Sequence, residues 1–174
     1  GQVWCGEPLE RGGKVSGGNG EPTLPEYFSR SLGSGLDDSG RAASVIHANN
    51  VMAHVPEIND FVAGISAALR PDGVAVVETP YVVRFVNDRE FDTTYHEHVF
   101  YISLTAVASL VERHGLTVTD VKKTPLPCGP LRRFIQHATH PPALQVAESL
   151  KPQRDHEVTR VPVASRCTQA QCGH

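Results

Sequence analysis

The chain has 174 residues, of which 40% are hydrophobic and 20% charged, and its formal net charge is −3. This length suffices for one domain with a hydrophobic core. The slight negative charge gives no electrostatic reason to expect nucleic acid or an anionic membrane as a partner. No apolar run reaches the roughly 20 residues of a membrane-spanning helix. The four cysteines lack the dense spacing of a disulfide framework, which indicates reduced thiols in a cytoplasmic protein.

The first segment of the chain, residues 1–22, is rich in glycine, serine and charge, and we expect it to be disordered. A helix is predicted over residues 23–36, where Leu24, Phe28 and Leu32 recur at a spacing of four. A polar turn follows this helix.

A strand–helix–strand unit comes next. Residues 44–49 form a short apolar run that suits a buried parallel strand. An amphipathic helix starts at Pro56 and is stopped by residues 70–73, and residues 74–79 form the next apolar strand. Two such strands joined by a helix predict an α/β fold with a mostly parallel sheet that helices cover.

The remaining elements are a helix and two strands. Ser103 is the candidate N-cap of the helix, and Gly115 stands at the C′ position that closes it. Residues 116–121 alternate between apolar and polar, as a half-buried strand does, and residues 131–137 are predicted as the last strand. Prolines interrupt every pattern in residues 139–174, which we expect to be a disordered tail.

The segment that carries chemistry is residues 92–101, DTTYHEHVFY. It places a phenol, two imidazoles and a carboxylate side by side, which is typical of an acid/base site. One alternative is an amphipathic edge strand whose polar groups are merely solvated. Another is a metal site, because His96 and His98 share a face if the chain is extended, although no third ligand follows at a suitable spacing. A zinc site in the tail would use Cys167, Cys172 and His174, but the paired clusters typical of such sites are missing.

Two stretches carry a resemblance to a known family. Residues 49–65, NNVMAHVPEINDFVAGI, form the first, and residues 91–98, FDTTYHEH, form the second, followed by Tyr101 and residues 103–105. They resemble the S-adenosylmethionine-dependent C-methyltransferases that act on nucleotide-linked deoxyketosugars. The likeness runs from about Glu21 to Ala138.

The resemblance implies a Rossmann-like class I methyltransferase core, S-adenosylmethionine as cofactor, and a dTDP-linked sugar methylated next to a ketone. It assigns residues 23–138 to a partial methyltransferase domain, with residues 1–22 and 139–174 not homologous. The family's glycine-rich loop for the methionine end of the cofactor, its acidic residue for the ribose, and its zinc-binding and C-terminal domains have no counterpart here. The chain therefore resembles the second half of the methyltransferase core.

Methylation of such a carbon requires removal of a proton alpha to a carbonyl. The base must titrate near the working pH, which suits histidine, and the developing enolate oxygen needs a hydrogen-bond donor. We predict that His98 is the base, that Glu97 orients an imidazole or assists proton movement, and that Tyr95 donates to the ketone or to a sugar hydroxyl.

Three further site residues lie in the first stretch. In the family, the histidine of the Asn-Val-x-Ala-His run faces the substrate, and it maps onto His54. Asn49 and Asn50 end a predicted strand, where open parallel sheets bind ligands, and are predicted to contact the cofactor. The partner expected is a nucleotide sugar, with no nucleic acid, membrane or metal. The alternative is a non-catalytic Rossmann-like fragment or interaction module, and the missing glycine loop predicts weak or absent S-adenosylmethionine binding.

Overall fold

The structure is a computed structural model that describes residues 5–6, 23–24, 26–82, 98–123 and 130–139. Strands and helices alternate through most of the described chain, as an α/β fold requires. In chain order the elements are β1 (Cys5–Gly6), β2 (Thr23–Leu24), α1 (Arg30–Asp38), β3 (Ala43–Asn49), α2 (Ile58–Ala68), β4 (Leu69–Thr79), α3 (Leu104–Glu112), β5 (Leu116–Lys123) and β6 (Leu131–His137).

The predicted disorder at the two ends lies almost wholly outside the described residues. Inside them, β1 pairs in parallel with β2, a two-residue strand pair that the sequence did not predict. No helix in the described part of the chain is long and apolar enough to cross a membrane.

The main sheet has four strands in the order β3-β4-β6-β5. β3 and β4 pair in parallel, which confirms the prediction for the strand–helix–strand unit. β6 is antiparallel to both of its neighbours, so the sheet is mixed: three strands run in one direction and β6 runs against them. The physical reason is the link between Lys123 and Leu131, which is shorter than the crossover of about a dozen residues that a parallel neighbour needs.

The hydrophobic core is one cluster that joins the sheet to α2 and α3. The sheet contributes buried residues from all four strands, including Ala48, Val77, Leu116 and Ile135. The helices contribute Phe61, Val62, Ile65, Leu104, Val107 and Val111. Full burial of one such large apolar side chain stabilises a fold by about 1.5–3 kcal/mol, so this cluster holds the carboxyl edge of the sheet in place.

The first predicted helix is wrong at its start. β2 occupies Thr23–Leu24, and α1 begins only at Arg30, after Ser29, whose Oγ accepts a hydrogen bond from the Leu32 backbone N–H at 3.2 Å. This cap satisfies a backbone donor that would otherwise lack an intrahelical partner, which places the helix start later than the apolar spacing indicated.

Glycine is required where α1 crosses α2. A Cβ atom on Gly33 would stand 2.3 Å from the carbonyl oxygen of Gly64, and one on Gly64 would stand 2.5 Å from the carbonyl oxygen of Ser29. Real side chains do not approach so closely, so the two helices can pack at this distance only because both positions lack a Cβ atom.

The helix α2 ends at Ala68, next to the predicted stop at residues 70–73, and these residues form a bulge at the start of β4. β4 begins at Leu69, and its register against β3 jumps from the pair Ala43–Leu69 to the pair Val45–Val74. The residues in between leave the ladder, and Arg70, Pro71 and Asp72 are exposed. Proline has no N–H to give to the ladder, which explains why the strand is interrupted here. In contrast, the predicted α3 cap is confirmed, because the Ser103 Oγ accepts from the Ala106 N–H at 3.1 Å.

Candidate active site

The candidate site lies where β3 and β4 end, at the carboxyl edge of their parallel pair. Asn50 follows β3 with a left-handed backbone, at a φ of 53°, and its N–H donates to the Glu78 carbonyl oxygen at 2.9 Å. Asparagine is one of the few non-glycine residues that adopt this conformation readily. The chain therefore leaves the strand abruptly while keeping one more bond to β4.

A tight turn after Asn50 presents His54. The His54 N–H donates to the Val51 carbonyl oxygen at 2.9 Å, which closes the turn. Met52 and Ala53 between them are buried, whereas His54 is exposed. The two buried residues anchor the turn in the core, and the imidazole is held on the surface at the edge of the sheet.

The segment from His98 to Ile102 lies against this turn. The N–H groups of Val99 and Phe100 both donate to the Ala53 carbonyl oxygen, at 2.8 and 3.2 Å. Ile102 forms a parallel bridge with Tyr81, just beyond the end of β4. Successive residues of a regular strand point in opposite directions, so two consecutive donors on one acceptor show that the backbone bends here.

This backbone arrangement brings His54 and His98 together. Their ring centroids are 4.7 Å apart and the rings are tilted by 59°. His98 is half-buried, and its Nδ1 lies 3.4 Å from the Tyr101 hydroxyl oxygen. The two histidines that the sequence nominated from separate motifs are therefore neighbours in one site, and the role of each remains a prediction.

Tyr101 had no assigned role in the sequence analysis. In an extended chain, residues i and i+3 point to opposite faces, so the spacing of His98 and Tyr101 argued against a contact. The bend at Val99 and Phe100 reverses that expectation. Its place just after the FDTTYHEH stretch, within the residues that carry the family resemblance, was the signal that could have raised it as a candidate.

Two of the nominated residues, Tyr95 and Glu97, lie outside the described residues, as does His96, so their roles and the metal interpretation based on His96 stay predictions. The tail cysteines and His174 also lie outside them. Among the residues that the structure does describe, no group of three or more His, Cys, Asp or Glu side chains stands together to hold a metal ion.

Asn49 and Asn50 stand at the edge where a cofactor was expected. Asn49 is the last residue of β3 and faces Glu78 in the ladder, and both asparagines are exposed. The carboxyl ends of parallel strands are where open α/β sheets bind ligands. Polar, accessible side chains at this position fit a ligand such as the cofactor, and their contacts with it remain predicted.

Two arginines of β6 complete the edge, and the sequence analysis gave neither a role. The Glu78 carboxylate, whose side chain is 6% exposed, forms an ion pair with the Arg132 Nε. Arg133 is fully buried, and its Nη1 donates to the Thr79 Oγ1 at 2.6 Å and to the Leu131 carbonyl oxygen at 3.1 Å. A buried carboxylate or guanidinium is costly unless it is paired, so these contacts stabilise the end of β4 beside the site.

Comparison with known proteins identifies the family. A family model described as a methyltransferase domain matches residues 23–121, which is more than half of the chain. The C-methyltransferase NovU of Streptomyces niveus is 32% identical over 154 residues, a match that covers 87% of this chain and 37% of that protein. This chain therefore spans little more than a third of the length of that relative.

Solved structures confirm the fold. An O-methyltransferase family protein from Burkholderia thailandensis superimposes with a TM-score of 0.55 at 17% identity, covering 79% of this chain and 43% of that one. LepI in complex with SAM superimposes with a TM-score of 0.57 at 12% identity, covering 79% of this chain and 36% of that one. The α/β core with its mixed sheet thus matches class I methyltransferase structures, and the chain belongs to the methyltransferase domain family.

Proposed function

We propose that this chain is part of an S-adenosylmethionine-dependent C-methyltransferase that methylates a carbon next to a ketone on a dTDP-linked deoxysugar. The observation that carries the proposal is the pair formed by His54 and His98 at the carboxyl edge of the sheet. Each histidine comes from one of the two stretches that resemble deoxyketosugar C-methyltransferases. The likeness to a C-methyltransferase over 87% of the chain supports the same reaction class.

The histidine pair carries out the proton removal in this reaction. The His98 imidazole accepts the proton alpha to the ketone, and the electron pair of the broken C–H bond forms an enolate. S-adenosylmethionine, when bound, would supply the methyl group that this carbon receives. The proton that His98 has accepted is finally released to solvent. His54, next to His98, faces the same substrate.

Apolar groups flank the pair. Val51 begins the turn that presents His54, and Val99 follows His98 in the chain. Both valines are among the exposed large hydrophobic residues of the described chain. A sugar ring that packed against these valines as well as the two imidazoles would displace water from the site. Exclusion of water strengthens the interaction between the enolate oxygen and any donor that holds it.

Three other residues have proposed roles beside this pair. Tyr95 donates to the ketone or to a sugar hydroxyl, and Glu97 orients an imidazole. Asn50, held in its left-handed conformation by the bond to the Glu78 carbonyl, offers its side chain to the cofactor or the sugar. The domain that carries this chemistry is residues 23–138, and the family match over residues 23–121 supports it.

The second candidate is a non-catalytic Rossmann-like fragment or interaction module. The observation that favours it is that the family's glycine-rich loop has no recognisable counterpart in the sequence. Such a loop supplies the backbone donors that hold the anionic end of a nucleotide-type cofactor. This candidate and the first differ in one respect, which is whether the histidine pair removes a proton.

The test is deuterium exchange, because it needs the base but not the methyl donor. A dTDP-linked ketodeoxysugar is incubated with the chain in D₂O, and exchange at the carbon next to the ketone is followed by NMR. We expect exchange above the rate without protein, and a loss of about 10²–10⁴-fold in His98→Gln, as removal of a general base costs.

His47→Gln is the matched control, since this imidazole is exposed in the middle of β3 and lies outside the site. Exchange that is equal in His98→Gln and in the unsubstituted chain would overturn the proposed base. Transfer of labelled methyl from S-adenosylmethionine to the same sugar then tests the complete reaction.

A further inference from the structure

Tyr101 is held firmly in the segment that carries His98. Its neighbours Phe100 and Ile102 pack against the hydrophobic core, and Tyr101 lies half-buried between them. The Tyr101 ring meets the His98 ring edge to face, with centroids 5.6 Å apart and an interplanar angle of 80°. The phenol is therefore anchored by the backbone on both sides of it, and it reaches one nitrogen of the imidazole in particular.

The contact is made to Nδ1 of His98, at 3.4 Å from the Tyr101 hydroxyl oxygen. This distance is at the long end of hydrogen bonding, as is common for catalytic hydrogen bonds in ligand-free sites, which tighten when substrate binds. The His98 ring also lies against the His54 ring. The imidazole therefore contacts both a second imidazole and a phenol, and both contacts restrict its rotation.

A neutral imidazole carries one proton, and the hydrogen bond made by one nitrogen decides which nitrogen keeps it. A phenol can donate or accept. If Tyr101 donated to Nδ1, the proton of His98 would be on Nε2, and Nε2 could not act as a base. If Nδ1–H donates to the phenol oxygen, Nε2 carries the lone pair. Only the second arrangement leaves His98 able to remove a proton from a substrate through Nε2.

We propose that Tyr101 is a positioning residue whose hydroxyl oxygen accepts a hydrogen bond from Nδ1–H of His98, and thereby fixes the tautomer in which Nε2 is the base. The use of Nε2 as a base rests on the proposed function. The tautomer does not, since it is a property of the protein without substrate.

The tautomer is measured directly by NMR of the full chain labelled with ¹⁵N-histidine, at a pH where the imidazole is neutral. The His98 signals are assigned by their loss in His98→Gln. We expect Nδ1 to be protonated in the unsubstituted chain. We expect Tyr101→Phe, which removes a single oxygen and keeps the ring, to shift the population towards Nε2–H.

Tyr27→Phe is the control, because Tyr27 is 76% exposed, and it should leave the His98 signals unchanged. Protonation on Nε2 in the unsubstituted chain would overturn the proposal without any need for a variant. An unchanged tautomer in a folded Tyr101→Phe would overturn it as well.

The exchange reaction separates this inference from the proposed function. Where the unsubstituted chain exchanges the sugar proton, Tyr101→Phe should lower the maximal rate by about 10-fold and leave KM unchanged, because the phenol acts through His98 and not on the substrate. A rise in KM at an unchanged maximal rate would contradict a positioning role. If the chain exchanges no proton but Nδ1 is protonated as expected, the proposed function fails and the role of Tyr101 in setting the tautomer stands.

Discussion

The two ends of the main sheet both carry histidine, and they use it differently. At the amino end of β4, the His137 Nε2 lies 3.1 Å from the Leu69 carbonyl oxygen, and the Ala138 N–H donates to the Gly115 carbonyl oxygen at 2.9 Å. These bonds tie the end of β6 to the neighbouring strands. At the carboxyl end, the imidazole of His98 instead meets another imidazole and a phenol.

The difference shows how a structural histidine is told from a candidate catalytic one. A backbone carbonyl as partner satisfies an imidazole and adds to stability, whereas a cluster of titratable side chains at a ligand-binding edge can move protons. The amino end does have an open groove, lined by Pro71, Gly115, His137, Ala138 and Thr139. It contains one imidazole, which already faces a carbonyl, so a groove alone does not identify the site.

The largest expected effect is the difference between replacing a histidine at the carboxyl end of the sheet and replacing one at the amino end. His54→Gln should lower proton exchange on a dTDP-linked ketodeoxysugar by about 10²-fold, the low end for a group that acts in acid/base chemistry. His137→Gln should leave exchange unchanged and reduce the free energy of unfolding by about 0.5–1.5 kcal/mol, as loss of one hydrogen bond does. NMR measures the exchange rates, and urea unfolding measures the stability. Equal exchange in both variants would contradict the assignment of different roles to the two histidines.

The next effect tests the scaffold away from both ends. Gly64→Ala places a Cβ atom 2.5 Å from the Ser29 carbonyl oxygen and should lower the free energy of unfolding by about 1–3 kcal/mol, as overpacking does. Gly35→Ala is the matched control, because no atom stands within 4 Å of its Cβ position, and it should raise the stability by about 0.5–1 kcal/mol. Urea unfolding of both variants checks the prediction, and equal stability would show that α1 and α2 are not in close contact.

The third effect concerns one residue with a left-handed backbone conformation at each end of the main sheet. These residues are Gly115, with a φ of 72°, and Asn50, with a φ of 53°. Alanine at either position should cost about 1–2 kcal/mol, because its Cβ atom disfavours this conformation. Asn50→Gly should keep the stability yet weaken ligand binding, since only the side chain is lost. Thermal unfolding and exchange kinetics test this prediction. Full activity of Asn50→Gly would show that the Asn50 side chain does not contribute to ligand binding.

The smallest expected signal is the heat of cofactor binding. The family's glycine-rich loop, which would supply backbone donors to the methionine end of S-adenosylmethionine, has no recognisable counterpart in the sequence. We expect calorimetric titration of the chain to detect weak binding or none. Micromolar affinity would contradict this expectation and favour the complete reaction in the chain as it stands.

Local pattern predicted most elements well. β3, α2, α3, β5 and β6 were all expected, because their periodicity, caps and turn residues agree with the fold. The start of α1 was wrong, since the cap at Ser29 and the glycine contact with α2 outweigh the apolar spacing. The end of α2 and the strand over residues 74–79 were expected, but the start of β4 at Leu69 was not, because the sequence cannot reveal that Leu69 pairs with Ala43 before the bulge.

The amino-acid sequence by itself determined the chemical groups available and the strand–helix–strand unit, because both follow from residue type and from periods of two and 3.6 residues. Tertiary structure alone decided which groups meet. His54 and His98 are neighbours because the Ala53 carbonyl binds the backbone beside His98, and Tyr101 reaches that ring because two successive N–H groups share this acceptor. Such contacts depend on backbone bonds between distant segments, which no local pattern encodes.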